Sequence, residues 1–268
     1  MIHLQDADMK VFNRQSSKGN QLKFRRVGIW YKTDYLGYEG LAEYVISKLL
    51  AFSDLSEDEY VEYEPEKIEY NGIEFNACSS KDFTNGWNLI TLERLFKNTY
   101  GYGLNQIIYS TPDHEERLKI LVEQVERTTG LKAFGTYMSK LLTVDALFLN
   151  EDRHTHNIAV LTNGTGDFRI APIFDNAAGL LSDTSMEYPM SKDALDLIEK
   201  VKAKTFCESF EEQLEIAEKL YGQSIHFSFG YNEVKAIVEK ADMYSEEIRQ
   251  RVIEVVMEMR RKYQYLFK

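Results

Sequence analysis

The run from Phe134 to Leu149, FGTYMSKLLTVDALFL, is apolar on nearly every side, and a helix of that kind has to be surrounded by protein. It leads directly into LNEDRHTHN, Leu149 to Asn157, a loop dense in ionisable groups. Next come IAVL at Ile158 to Leu161, a polar turn at Asn163 to Gly166, and FRIAPIF running into Asp175, which together read as a hairpin. A buried helix therefore delivers one polar loop, and the hairpin returns the chain to a second acidic position. Asp152 and Asn157 are separated by four residues, and Asp175 follows Asn157 by eighteen. Two carboxylates and a carboxamide arriving on two backbone segments suit a divalent cation with an anionic ligand. As bare spacing, Asp and Asn before a strand are ordinary turn chemistry; the helix before them and the hairpin after them carry the weight. Asp145, inside the helix, must find hydrogen-bond partners and is assigned a structural role.

Composition sets the outer limits. With 268 residues, 44% hydrophobic and 13% aromatic, the chain can fill the core of one large domain or two modest ones. Its 32 basic and 43 acidic residues leave a net charge of −11, which repels phosphate backbones and anionic lipid, so neither nucleic acid nor membrane is expected as a partner. Two cysteines, Cys78 and Cys207, are too few for a disulfide framework and are expected to be reduced, which suits a cytoplasmic location. MIHLQDADMK has charges and no apolar leader, and no apolar stretch approaches the roughly 20 residues of a membrane span. Unconventional export would leave no such mark.

Upstream, Met9 to Asn13, LKFRRV and GIWYK (ending at Lys32) alternate like the short strands of an antiparallel meander. The turn RQSSKGNQ, with Ser16, Ser17, Lys18 and Gly19, fits either an exposed hairpin loop or a tip whose backbone amides lie over phosphates. A helix is expected from near Tyr38, with Leu41, Val45, Leu49 and Phe52 at helical spacing. Glu39 and Glu43, one turn apart, suit the helix dipole and are also placed to pair with Lys32. An acidic, solvated loop from Asp54 to Glu66 precedes KIEYNGIEFNACSSKDF, where Asn71-Gly72 signals a hairpin. After a turn at Thr84 to Asn88 the chain is expected to be helical from Leu89 onward, which places a domain boundary between residues 1–85 and 86–268. Further helices are expected over Asp113–Thr129, Ala194–Lys202, Phe210–Tyr221, Asn232–Met243 and Ser245–Tyr265. There is no internal repeat.

A sheet with one helix, followed by a helical part whose first hairpin carries Asp152, Asn157 and Asp175, resembles the layout of a protein kinase. More narrowly, the chain resembles the bacterial HipA-like serine/threonine protein kinases, in the compact branch of the cell-translocating kinases. The matching stretches are YKTDYLGYEGLAEYVISKLL, CSSKDF, LLTVDALFLNEDRHTHNIAVL, IAPIFDNAAGLL and KTFCESFEEQ, with DRHTHN and PIFDNA the most specific. The resemblance implies an α+β, two-lobed kinase-like fold: a small antiparallel β-sheet N-lobe with one helix, and a larger, mainly helical C-lobe. It implies ATP and Mg²⁺ as cofactors and a protein substrate presenting Ser or Thr, the chain itself included, with Ser16 and Ser17 as autophosphorylation candidates.

Position by position, Asp152 would orient or deprotonate the substrate hydroxyl, and Asn157 and Asp175 would hold Mg²⁺. Lys32 would contact the α- and β-phosphates, with Glu39 its preferred partner and Glu43 the alternative. Ser16, Ser17, Lys18 and Gly19 would cover the triphosphate. The adenine would lie near Ser79 to Phe83, bringing in Ser80 and Asp82, and His154 would support the loop. His156 has no counterpart. Asn150-Glu151 precede Asp152 and Asn176-Ala177 follow Asp175, so neither H-R-D nor D-F-G is present, and control by a phosphorylated activation loop is not implied. Two other classes stay open: a metal-dependent hydrolase using Asp152, His154, His156 and Asp175, and a catalytically silent kinase fold that acts as a binding module.

Overall fold

The structure is a computed structural model and describes residues 1–10 and 21–268. Its N-terminal part is organised on a five-stranded sheet built from β1 (Ile2–Leu4), β2 (Lys23–Arg26), β3 (Ile29–Thr33), β4 (Glu64–Tyr70) and β5 (Ile73–Lys81), in the order β1-β4-β5-β3-β2. The pairs are antiparallel except β1 with β4, which is parallel. Asn71 and Gly72, both at positive φ (52° and 77°), turn β4 into β5 as the Asn-Gly signal predicts. Strand β1 was not anticipated. Of the expected strand at Met9 to Asn13, Met9 makes a single bridge to Phe24 and the Lys10 N–H donates to the Lys23 carbonyl at 2.8 Å; residues 11–13 lie outside the described residues, as does the turn bearing Ser16, Ser17, Lys18 and Gly19.

Helix α1 (Glu39–Leu50) starts where the periodicity predicts and packs on β3, β4 and β5. The loop before it is tightly seated: a Cβ on Gly37 would fall 2.0 Å from the Ser182 carbonyl oxygen, so only glycine fits there.

The helical lobe contains α2 (Leu92–Tyr100), α3 (Leu104–Ser110), α4 (His114–Thr129), α5 (Phe134–Phe148), α6 (Ala194–Ile198), α7 (Phe210–Tyr221), α8 (Tyr231–Glu239) and α9 (Glu246–Lys262). Asp113, Asp193, Ser209 and Ser245 cap α4, α6, α7 and α9 by accepting backbone N–H bonds, which fixes where these helices begin. The segment from Leu89 is a correction. Asn88–Thr91 forms strand β6, paired antiparallel with β7 (Ala159–Thr162), which in turn pairs with β8 (Phe168–Ile170). LIT has β-branched residues and an unpaired hairpin edge within reach, and that pairing outweighs local helical preference until Thr91 caps α2.

Helix α5 is the axis of the lobe, buried along its length and packed against α4, α7 and α9. Its apolar side chains share one continuous core with Leu41, Val45 and Leu49 of α1, so α1 is packed with the helical lobe as well as with its own sheet. Beyond Phe148 the chain leaves the helix through Leu149 at φ 55° and enters the polar loop. Among the described residues, no helix is long and apolar enough to cross a membrane.

Replacing Leu142, which is 1% exposed within this core, by alanine should cost about 2–5 kcal/mol. A urea unfolding curve with an unchanged midpoint would contradict the central place given to α5.

Candidate active site

Lys32 comes from the middle of the sheet, near the end of β3, and its ammonium is almost covered. Nζ donates to Glu43 Oε1 at 2.6 Å and to Asp175 Oδ1 at 2.8 Å. Glu43, fully buried on the sheet-facing side of α1, spends its other oxygen on the Asn176 backbone N–H at 2.8 Å. One carboxylate thus ties α1 to β3 and to the segment that follows β8. Burial alone would lower the Lys32 ammonium, but Asp175 and Glu43 outweigh it and raise it well above its ordinary value. Burial pushes the Asp175 carboxyl up; Lys32, then Lys23 opposite it on β2, and Arg153 reverse that and hold it well below the ordinary range. Asp175 itself sits at φ 60°, a left-handed conformation uncommon outside glycine.

The expected Lys32–Glu39 pair is corrected here. Glu39 is the first residue of α1, and its carboxylate folds back to accept the backbone N–H groups of Tyr35, Leu36 and Gly37 at 3.2, 2.7 and 3.1 Å. A side chain at a helix start points toward the preceding loop. Glu43, one turn later, is the glutamate over the sheet.

The loop after α5 gathers Asp152, His154 and Asn157. Asn157 donates its amide N–H to the Asp152 carbonyl at 2.8 Å and to the Asp152 carboxylate at 3.0 Å. His154 Nε2 lies 3.6 Å from Asp152 Oδ1 and its ring stands edge-on to that of His156. This loop is fastened to the Asp175 segment by Arg153, which is 1% exposed. The guanidinium donates to both oxygens of Asp145 (3.1 and 3.0 Å), to the carbonyls of Asn157 (3.1 Å) and Phe174 (2.8 Å), and to Asn176 Oδ1 (2.8 Å). Asn150 adds bonds to Asp145 Oδ1 at 3.0 Å and to the Asp175 carbonyl at 3.4 Å. Burial raises the Asp145 carboxyl against the pull of Arg153 and Asn150, and Asp145 in turn keeps the guanidinium above its ordinary value in spite of burial. The structural role expected of Asp145 is therefore specific: it anchors the cation that joins the two acidic loops.

Arg153 and Asn176 are contacts that spacing alone did not identify, whereas Glu43 is the alternative partner of Lys32 that the sequence offered. The usable signal was Asp145, because a carboxylate inside an apolar helix requires a partner that can follow it indoors, and arginine is the residue that does so. Glu151 is a further one: it accepts a hydrogen bond from Tyr188 at 2.6 Å, holding the loop to the segment ahead of α6.

Of the residues expected around the adenine, Ser80 is buried on β5 opposite Trp30. Asp82 is engaged elsewhere: its carboxylate pairs with Arg25 at 2.6 Å and accepts from the Thr84 N–H and hydroxyl at 3.0 and 2.7 Å. Its burial raises the carboxyl, but Thr84 and Arg25 hold it below the ordinary value. Phe83 and Phe174 instead meet with ring centroids 5.4 Å apart, beside buried Val61, Tyr63 and Cys78, forming an apolar patch between β5 and the Asp175 segment. Lys32 Nζ lies 5.3 Å from the Tyr63 ring centre, at the edge of that patch. Among the described residues, Asp152, His154, His156 and Asp175 do not bring three ligand atoms together, as the hydrolase alternative would require.

A sheet-based lobe with one helix, a helical lobe, and a lysine–glutamate pair that holds the Asp175 segment define a kinase-like fold. The crystal structure of a Helicobacter pylori proinflammatory kinase, CtkA, has the same fold, with a TM-score of 0.64 and 16% sequence identity over 97% of this chain and 95% of that one. No protein-family model and no curated protein sequence matches the chain.

Replacing Lys32 by methionine leaves buried Glu43 and partly buried Asp175 without their cation and should cost about 3–5 kcal/mol near neutral pH. In the wild type the depressed Asp175 carboxyl contributes stability fully above the ordinary 3.8 and loses it as pH falls through the lowered value. In the variant, burial acts unopposed by Lys32, so acid relieves the defect, and the stability gap should narrow between about pH 7 and about pH 3. A gap constant across that range would show that the three groups do not interact as described. Independently, Asp145→Ala should destabilise by about 3–5 kcal/mol by stranding the Arg153 guanidinium, and denaturation midpoints for the two variants read this directly.

Proposed function

We propose that this chain is an ATP- and Mg²⁺-dependent protein kinase of the HipA-like type that phosphorylates Ser or Thr hydroxyls, its own among them. The observation that carries the reading is the joining of two acidic loops at one place: Arg153 ties the Asp152–Asn157 loop to the Asp175 segment, while Lys32 reaches Asp175 from the other lobe. The kinase-like fold supports it.

The residues fit the cofactor. Mg²⁺ favours one or two carboxylate or carbonyl oxygens plus phosphates. Asp175 provides a carboxylate that stays ionised, and Asn157, whose amide nitrogen is used on Asp152, has its carboxamide oxygen to offer. When bound, Mg-ATP supplies the phosphoryl group and most of the charge neutralisation. Lys32, held in place by Glu43, would bind phosphate oxygens; the apolar patch of Phe83, Phe174, Val61 and Tyr63 would receive the adenine. Asp152, kept in orientation by Asn157, would accept the proton of the substrate hydroxyl, with His154 beside it. We assign residues 1–85 to the nucleotide-covering lobe and 86–268 to the catalytic lobe, and place the reaction in the cytoplasm, where ATP and protein substrate meet.

The test is incubation with Mg²⁺ and γ-labelled ATP, wild type beside Asp152→Asn and Asp175→Ala, followed by mass spectrometry of the protein. Asp152→Asn should retain nucleotide binding and lose about 10²–10⁴-fold in phosphoryl transfer. Asp175→Ala should weaken nucleotide binding itself when Mg²⁺ is present. Unaltered turnover in Asp152→Asn would remove it as the base, and bound nucleotide with no labelled product from wild type would favour a silent binding module.

A further inference from the structure

Another group of metal-ligating side chains, none of them from the acidic loops, comes together between α4 and α7. His114 opens α4, Glu212 lies in the first turn of α7, and Cys207 sits in the loop just ahead of α7. One ligand atom from each falls within 4.8 Å of the others, with His114 Nδ1 and Glu212 Oε1 2.7 Å apart. Cys207 is buried, while the other two side chains are partly exposed, so the group opens to solvent on one side.

The scaffold around it is fixed by other contacts. Arg117 of α4 donates to the Phe206 carbonyl at 2.8 Å, pinning the residue next to Cys207 to the helix that carries His114. Gln213 Nε2 donates to the Cys207 carbonyl at 2.8 Å, and Ser209 caps α7 through the Glu212 N–H at 3.2 Å. Lys219 of α7 pairs with Glu115, the neighbour of His114, at 2.5 Å. Three separate segments thus present an imidazole, a thiol and a carboxylate to one point, and each segment is tied to the next.

We propose that His114, Cys207 and Glu212 form a zinc site that staples α4 to α7. A nitrogen, sulfur and oxygen donor set suits Zn²⁺, whereas Mg²⁺ and Ca²⁺ take oxygen ligands. In a tetrahedral zinc site, ligand atoms stand about 3.3–3.7 Å apart. From 2.7 Å the His114–Glu212 pair must open by under about 1 Å to reach that spacing, a movement available to two partly exposed side chains, and Cys207 already lies within 4.8 Å of both. The thiol proton of Cys207 leaves to solvent on binding, and thiolate plus carboxylate balance the ion's two charges, with water as the fourth ligand.

Cobalt(II), a spectroscopic stand-in for zinc, tests this on the whole chain without nucleotide. The wild type should develop thiolate-to-cobalt absorption in the near ultraviolet, which zinc bleaches by displacement. Cys207→Ser should lose that absorption, and His114→Ala should weaken binding more than about 100-fold, since loss of even an outer partner costs 10–100-fold. Asp175→Ala should bind cobalt like wild type, which separates this site from the proposed phosphoryl-transfer site. No thiolate band in the wild type, or a band that survives Cys207→Ser, overturns the proposal. Because His114 is a partly exposed helix-start residue, His114→Ala keeps the test decisive if the cysteine variant fails to fold, and unchanged affinity there overturns it too.

Discussion

The structure around the acidic loops depends on keeping one ammonium group indoors. Lys32 stands on a central strand, where water is excluded, and two carboxylates from different parts of the chain make that position tolerable. Buried ions are costly unless their partners are well placed, so α1 cannot shift along the sheet and the segment at Asp175 cannot swing away without leaving a charge uncompensated. Glu43 extends the same constraint to the Asn176 amide. These charge-assisted hydrogen bonds add directional constraint to the apolar core that α1 shares with the helical lobe.

Arg153 does the equivalent work inside the helical lobe. Its planar guanidinium reaches a carboxylate, two carbonyls and a carboxamide at once, which a lysine ammonium could not match in direction. Because the carbonyls belong to Asn157 and Phe174, the position of Asp175 relative to the Asp152 loop is set by backbone contacts rather than by flexible side chains. Site precision of this kind comes from the supporting residues, and here Arg153, Asp145 and Asn150 are buried and hydrogen-bonded to one another or to the two loops. The Glu151–Tyr188 bond and Arg251, which donates to the carbonyls of Tyr188, Pro189 and Lys192, extend the rigid surroundings to the segment ahead of α6.

Much of this was legible. Helix α5 declared itself by being apolar all round, α1 by apolar residues at helical spacing, and the β4–β5 hairpin by Asn-Gly. The polar loop and Asp175 stood out because they interrupt apolar segments. Strand β6 was hidden because Leu89–Thr91 borders a helix and takes its conformation from pairing with β7, a partner about seventy residues away. Strand β1 was hidden for the same reason, since three residues carry little pattern of their own.

The sequence by itself determined which groups can titrate, where apolar periodicity buries a face, and which short-range turns and caps begin each element, because those depend on neighbours a few positions apart. Tertiary structure alone decided that Glu43 rather than Glu39 faces Lys32, that Asp145 meets Arg153, and that Asp82 belongs to Arg25 and Thr84. Glu39 and Glu43 are chemically identical and lie on nearly the same helix face. Choosing between them requires knowing where the sheet lies and which carboxylate the preceding loop's N–H groups have already taken.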